Sequence, residues 1–110
     1  MIEDEARIAL TTRQHELDEE DRISAEGRAP VTLQQDSVGR LSRMDAMQQQ
    51  AMAQAQERRR KQERSRIAAA LTRIDEGDWG YCVSCGEEIA DARLRNDPSI
   101  ATCIKCASGA

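Results

Sequence analysis

The residues in this sequence best placed to do chemistry are its four cysteines. They form two pairs, Cys82-Val83-Ser84-Cys85 and Cys103-Ile104-Lys105-Cys106, with 17 residues between the pairs. Within each pair one short turn aims both sulfurs at a single point. Four thiolates so placed match a closed, tetrahedral zinc site. Four protein ligands leave no open coordination position, so a zinc bound there is structural rather than hydrolytic. An iron–sulfur cluster uses the same thiolates and is the main competing reading. A thioredoxin-like redox pair would need a surrounding βαβ pattern, which the sequence lacks. No glycine-rich phosphate loop and no Cys–His or Ser–His arrangement accompanies the cysteines, so no enzymatic activity is expected.

The elements that must hold this knot are helical. Residues 2–25 contain neither Gly nor Pro, and Ala6, Leu10 and Leu17, joined by Ile2 and Ala9, form a thin apolar stripe at helical spacing. Gly27 and Pro30 interrupt the pattern, which places a tip loop near 26–37. Residues 38–76 are rich in Ala, Gln, Arg and Met, all good helix formers. Their seam starts weakly through Val38, Leu41, Met44/Ala46, Gln48, Ala51/Met52 and Ala55. It resumes strongly at Ile67, Ala70, Leu71 and Ile74, with Arg58 and Gln62 falling near it. Gly77 ends the second helix, and Trp79 and Tyr81 are expected to pack the cysteine module against the helix base. Residues 87–95 read as a short strand or turn. Asp97-Pro98-Ser99 reads as the start of a helix carrying Cys103 and Cys106. The fold class expected is therefore mainly α. A long antiparallel helical hairpin (a coiled coil) over residues 1–76 is followed by a small four-cysteine zinc-finger module over residues 77–110.

Composition limits the alternatives. With one Trp, one Tyr, no Phe and a third of its residues charged, the chain lacks the bulk for a broad core. A narrow helix–helix seam and a metal can make up the difference. No apolar run is long enough to cross a membrane, and the first residues have no secretory pattern. With two Cys-x-x-Cys pairs, this makes the cytoplasm the expected location. The net charge of −4 is unevenly spread: residues 1–26 carry −6, whereas residues 57–73 carry +5. An acidic first helix and a basic second one suit an antiparallel pair. An acidic whole disfavours general binding to nucleic acid. The basic stretch Arg58-Arg59-Arg60-Lys61, with Arg64 and Arg66, reads either as a face paired with the first helix or as a phosphate- or RNA-binding patch. No aromatic residue accompanies it to stack on bases. His15, the sole histidine, could serve as a metal ligand, but it sits mid-helix and the four thiolates already complete a site elsewhere, so no functional role is expected of it.

The run from Ile74 through Asp78-Trp79-Gly80-Tyr81-Cys82 to Ile89 resembles the signature of the DksA/TraR zinc-finger family, as do Arg93-Leu94, Pro98 and Cys103-Ile104-Lys105-Cys106. The resemblance covers residues 36–106 well and the first helix by pattern, and it looks like that of a short paralogue. It implies a monomeric bacterial protein that binds RNA polymerase through the secondary channel. It further implies modulation of initiation, often in the stringent response, without sequence-specific DNA binding or membrane attachment. The family places an acidic tip near the polymerase active centre, with an Ala shortly after the Asp. Asp36 has the loop position, and Asp45 followed by Ala46 has the closer residue pair. The family also binds the alarmone ppGpp through basic residues. Arg66 stands at one such position, but Asp97 and Ala107 replace the other two basic residues. A weak or absent ppGpp response is therefore expected, with Arg66 and Arg93 as candidate ppGpp or polymerase contacts. The readings set against polymerase binding are a zinc-ribbon protein–protein adaptor and an RNA- or ribosome-associated factor.

Overall fold

The computed structural model describes residues 1–27 and 40–109. Two long helices, α1 (Glu3–Gly27) and α2 (Arg40–Glu76), pack side by side. Two short ones follow, α3 (Asp91–Asn96) and α4 (Ile104–Ala107). The molecule is elongated, with principal extents of 60 × 31 × 19 Å. The mainly α architecture matches the expectation, and among the described residues no helix is long and apolar enough to cross a membrane. Most of the tip loop expected near 26–37 lies outside the described residues.

The seam follows spacings of three and four. On α1, Ala6, Leu10 and Leu17 are buried. On α2, Ile67, Ala70 and Ile74 are buried and Leu71 packs against them. Leu17 and Ile67 are the largest fully buried side chains, and each such burial contributes about 2 kcal/mol of transfer free energy. Ile2 is 62% exposed and stands outside the stripe.

Farther along α2 the seam differs from the one read in the sequence. Met44, Met52, Ala51 and Gln48 are exposed, as are Arg58 and Gln62, and Val38 lies outside the described residues. Ala46 and Ala55 are half-buried as expected, and Ala53, Glu57, Arg60 and Arg64 join them. The heptad continues backwards from Ile74 through Leu71, Ile67, Arg64 and Arg60, so two arginines occupy core-facing sites. Their long apolar stems make this possible. The charges are met from α1: Arg60 Nε donates to Asp21 at 2.6 Å, and Arg64 Nη2 pairs with Asp18 at 2.7 Å and Asp21 at 2.5 Å. Nearer the middle, Arg13 Nε and Nη2 donate to the two carboxylate oxygens of Glu63 at 2.6 and 3.0 Å. Pairing of the acidic first helix with the basic second one thus involves these residues. Arg58, Arg59, Lys61 and Arg66 stay exposed without an ion-pair partner among the described residues.

Helix α2 ends where the sequence placed its stop. Gly77 has φ +80°, a left-handed conformation that L side chains resist. Its N–H donates to the Ile74 carbonyl at 3.2 Å, and the Asp78 N–H donates to the Arg73 carbonyl at 2.8 Å. These two bonds make a Schellman cap and turn the chain sharply off the helix axis.

Beyond the cap, two expectations need correction. Residues 91–96 are helix rather than strand or turn, held by an Asp91–Arg95 ion pair of 2.6 Å one turn apart. Asp97-Pro98-Ser99 does not start the last helix. Asp97 Oδ1 instead accepts both the Ser99 N–H, at 3.0 Å, and the Ser99 hydroxyl, at 2.7 Å, closing an Asx-type turn. The last helix begins at Ile104, with Cys103 as its N-cap.

Candidate metal centre

Each cysteine pair is set by its own backbone turn. In the first, the Gly86 N–H donates to the Cys82 carbonyl at 2.9 Å, and Gly86 adopts φ +78°. The Cys82 N–H donates to the Glu87 carbonyl at 2.8 Å, and an isolated antiparallel bridge joins Tyr81 to Glu88. In the second pair, the Ala107 N–H donates to the Cys103 carbonyl at 2.9 Å. One bond ties the two turns together, from the Val83 N–H to the Ala101 carbonyl at 2.9 Å.

The result is a convergent donor set. The four sulfurs all lie within 4.8 Å of one another, and Cys85 Sγ and Cys103 Sγ are 3.7 Å apart. A tetrahedral zinc with bonds of about 2.3 Å requires sulfur–sulfur edges of about 3.8 Å. Cys82 is buried, Cys103 and Cys106 are half-buried and Cys85 is exposed. The electrostatics also call for a cation. Backbone N–H groups of Cys103, Cys85 and Ser84 stabilise the Cys82 thiolate and bring its pKa down to about 6. The sulfurs of Cys103 and Cys82, together with desolvation, push Cys106 up to about 12. For Cys85, the Glu87 amide pulls downward, but the Cys82 sulfur, desolvation and the Cys103 sulfur outweigh it and raise the pKa. Four thiolates this close cannot all ionise unless a metal compensates them. The donor set, closed and all-sulfur, fits one structural Zn²⁺.

The module is welded to the hairpin by Trp79, which is 5% exposed. Its indole N–H donates to the Pro98 carbonyl at 3.0 Å, and its backbone N–H donates to the Arg73 carbonyl at 3.2 Å. With Ile89 and Leu94 it continues the hydrophobic core past the helix end. Tyr81 is 47% exposed, so the packing role expected of both aromatics falls mainly to Trp79.

The other candidate residues are spread over the molecule. Asp45 is exposed on the second turn of α2 and Ala46 beside it is half-buried, whereas Asp36 lies outside the described residues. Arg66 is exposed on α2, one turn from Glu63, and its charge adds to the effect of the Arg13 hydrogen bond in lowering the Glu63 pKa. Arg93 is turned inward, half-buried, with Nε donating to the Thr102 carbonyl at 3.0 Å. Of these two candidate contacts, Arg66 is thus exposed and Arg93 half-buried. Arg73 was not among the residues singled out in the sequence. It is half-buried, desolvation lowers its pKa, and its carbonyl accepts the cap bonds from Asp78 and Trp79. Its place seven residues after Arg66, beside the C-cap glycine, was the available signal.

A family model for the prokaryotic dksA/traR C4-type zinc finger matches residues 77–110. Among curated proteins, the RNA polymerase-binding transcription factor DksA of Haemophilus influenzae is 46% identical over 41 residues, which is 37% of this chain and 28% of that protein. DksA of Escherichia coli is 42% identical over 41 residues, covering 37% and 27% respectively. The alignments thus span little more than a quarter of those relatives. Solved structures extend the likeness to the hairpin. Transcription factor DksA2 from Pseudomonas aeruginosa superimposes with a TM-score of 0.73 at 27% identity, over 97% of this chain and 81% of that one. The DnaK suppressor protein from Agrobacterium tumefaciens gives 0.62 at 26% identity, over 100% and 95%.

Proposed function

We propose that this chain, a DksA/TraR-family C4-type zinc-finger protein, binds bacterial RNA polymerase through the secondary channel and modulates transcription initiation without reading DNA sequence. What supports the reading most is the combination of a matched finger with a likeness to DksA2 that extends over 97% of this chain and 81% of that one. The proportions also suit it. A helix of 37 residues is about 55 Å long, and a two-helix rod is thin enough to enter a pore closed to a globule. Zinc has no catalytic part in this scheme. The four cysteines fix the finger, and Trp79 with the Gly77 cap fixes the finger on the rod. The working end is the opposite one, where a carboxylate of Asp36 or Asp45 would act on a magnesium site or nearby basic loops.

The test is capture of core RNA polymerase by the zinc-loaded protein, repeated with the secondary channel blocked by another occupant. Retention that disappears on blocking supports the reading. Retention that survives blocking, or no retention at all, overturns it. Within the same reading, Asp36→Asn and Asp45→Asn identify the working carboxylate as the one whose loss abolishes the transcriptional effect while binding remains. Transcription measured with and without ppGpp should differ little. Asp97 sits in its Asx turn and Ala107 is neutral, so neither supplies the positive charge a pyrophosphate needs.

A further inference from the structure

Among the described residues five arginines are half-buried: Arg13, Arg60, Arg64, Arg73 and Arg93. The first three sit in the hairpin, and each has a carboxylate: Glu63 for Arg13, Asp21 for Arg60, and Asp18 with Asp21 for Arg64. Arg73 and Arg93 have no carboxylate within ion-pair distance among the described residues. A partly buried cation without a counter-charge is unfavourable.

Both of these arginines are at the metal end of the molecule. Both point at the segment that delivers Cys103: Arg93 Nε donates to the Thr102 carbonyl at 3.0 Å, and Arg73 Nη2 lies 3.5 Å from the Ser99 carbonyl. Thr102 immediately precedes Cys103 in the chain. Arg73 also lines one cavity with Cys82, Val83 and Gly86 of the first cysteine turn; Glu76 and Asp78 line it too, but neither is within ion-pair distance of Arg73. The two arginines therefore reach the backbone that leads into Cys103 from different elements, Arg73 from α2 and Arg93 from α3.

Four thiolates around Zn²⁺ leave the centre with two surplus negative charges. We infer that Arg73 and Arg93 are the counter-cations of the zinc–thiolate centre and brace the loop that carries Cys103. One positive charge from each offsets the surplus, which accounts for two half-buried arginines with no acid at ion-pair distance among the described residues. Because Arg73 belongs to α2 and its carbonyl also accepts the cap bonds, it links metal occupancy to the seating of the finger on the hairpin. They are positioning residues, acting on the ligands through charge and through the 99–102 backbone.

The experiment is competition for zinc between the full-length, zinc-loaded protein and a chromogenic chelator. It compares Arg73→Met, Arg93→Met, Arg73→Lys, Arg93→Lys and, as a surface control, Arg58→Met. Each methionine variant should hold zinc about tenfold more weakly, the range seen for groups that support metal ligands. The lysine variants should recover most of that loss, and Arg58→Met should match the parent. The cobalt(II) thiolate charge-transfer band at saturating metal checks that four cysteines still bind. If a methionine variant loses that band, the lysine variants decide: affinity near the parent value supports the inference, and a loss as large as methionine's overturns it. Parental affinity in both methionine variants, or an equal loss in Arg58→Met, also overturns it.

Discussion

The two halves of the hairpin are built on different physics. Near the finger the seam is apolar: Ala6, Leu10, Ile67, Ala70 and Ile74 are all at most 6% exposed, and Leu17, beside Asp18, is its last buried member. Farther out the same heptad positions hold Arg60 and Arg64, and the cross-helix contacts are ion pairs to Asp18 and Asp21. Apolar contact supplies most of the free energy but is non-directional. Polar residues at core positions contribute less stability and specify alignment, because a shifted register strands their charges. The half attached to the metal is thus built for strength, and the half beyond Arg64 for register. One detail marks the cost of the second design: Arg60 Nη2 is buried without a hydrogen-bond partner among the described residues.

The widest separation between the halves should appear on removing zinc. Structural zinc contributes on the order of 10 kcal/mol to a small module. Chelation should unfold the segment after Gly77, shifting Trp79 emission to the red, while far-UV circular dichroism retains most of the helical signal of α1 and α2. Unchanged Trp79 emission would show that the finger stands without its metal. Next in size, Leu17→Ala or Ile67→Ala should each destabilise the zinc-loaded protein by about 2–5 kcal/mol in urea titration. A loss no larger than that of an ionic-half variant would erase the distinction drawn above.

In the ionic half, Asp21→Asn removes the counter-charge shared by Arg60 and Arg64 and should cost about 1–3 kcal/mol. Arg60→Met keeps the stem, discards the orphaned donor, and should cost less. Asp21 is partly solvated, so its effect should shrink as salt is added, whereas that of Leu17→Ala should not. Smaller still is the pH effect at Glu63. The Arg13 hydrogen bond holds the Glu63 carboxyl below the usual carboxylate range. Its contribution is therefore present above the unfolded carboxyl pKa and fades as pH falls through the folded value. The stability gap between parent and Glu63→Gln should be open at neutral pH and close in acid. A gap that persists at low pH would assign Glu63 a packing role instead. Smallest is Glu19→Gln, which breaks an exposed pair with Arg22 one turn away and should leave the urea midpoint unchanged.

Much of this was legible in the sequence, for physical reasons. Cysteine spacing constrains geometry directly, so the donor set could be read without knowing the fold. Gly77 stood where a helix must stop, and the Schellman bonds are what that glycine permits. The ionic half was harder to read, because arginines at core positions look like surface residues to any argument from hydrophobicity. Only carrying the three–four spacing backwards from Ile74 would have put Arg60 and Arg64 inside and Arg58 and Gln62 outside. The segment before Cys103 is ambiguous in sequence because Asp97-Pro98-Ser99 satisfies both a helix start and an Asx turn. The choice between them depends on where Trp79 places its N–H, on the Pro98 carbonyl. That contact spans 19 residues, and no local pattern announces it.

The cap at Gly77 also makes the molecule a lever. The bearing is a single residue with φ +80°, steadied by the two Schellman bonds and by Trp79. The arm is α2, about 55 Å long, so each degree of error at the bearing displaces the far end by about 1 Å. The aim of the rod is therefore decided next to the metal, and the closest angular tolerance in the molecule falls on the few residues that join helix to finger.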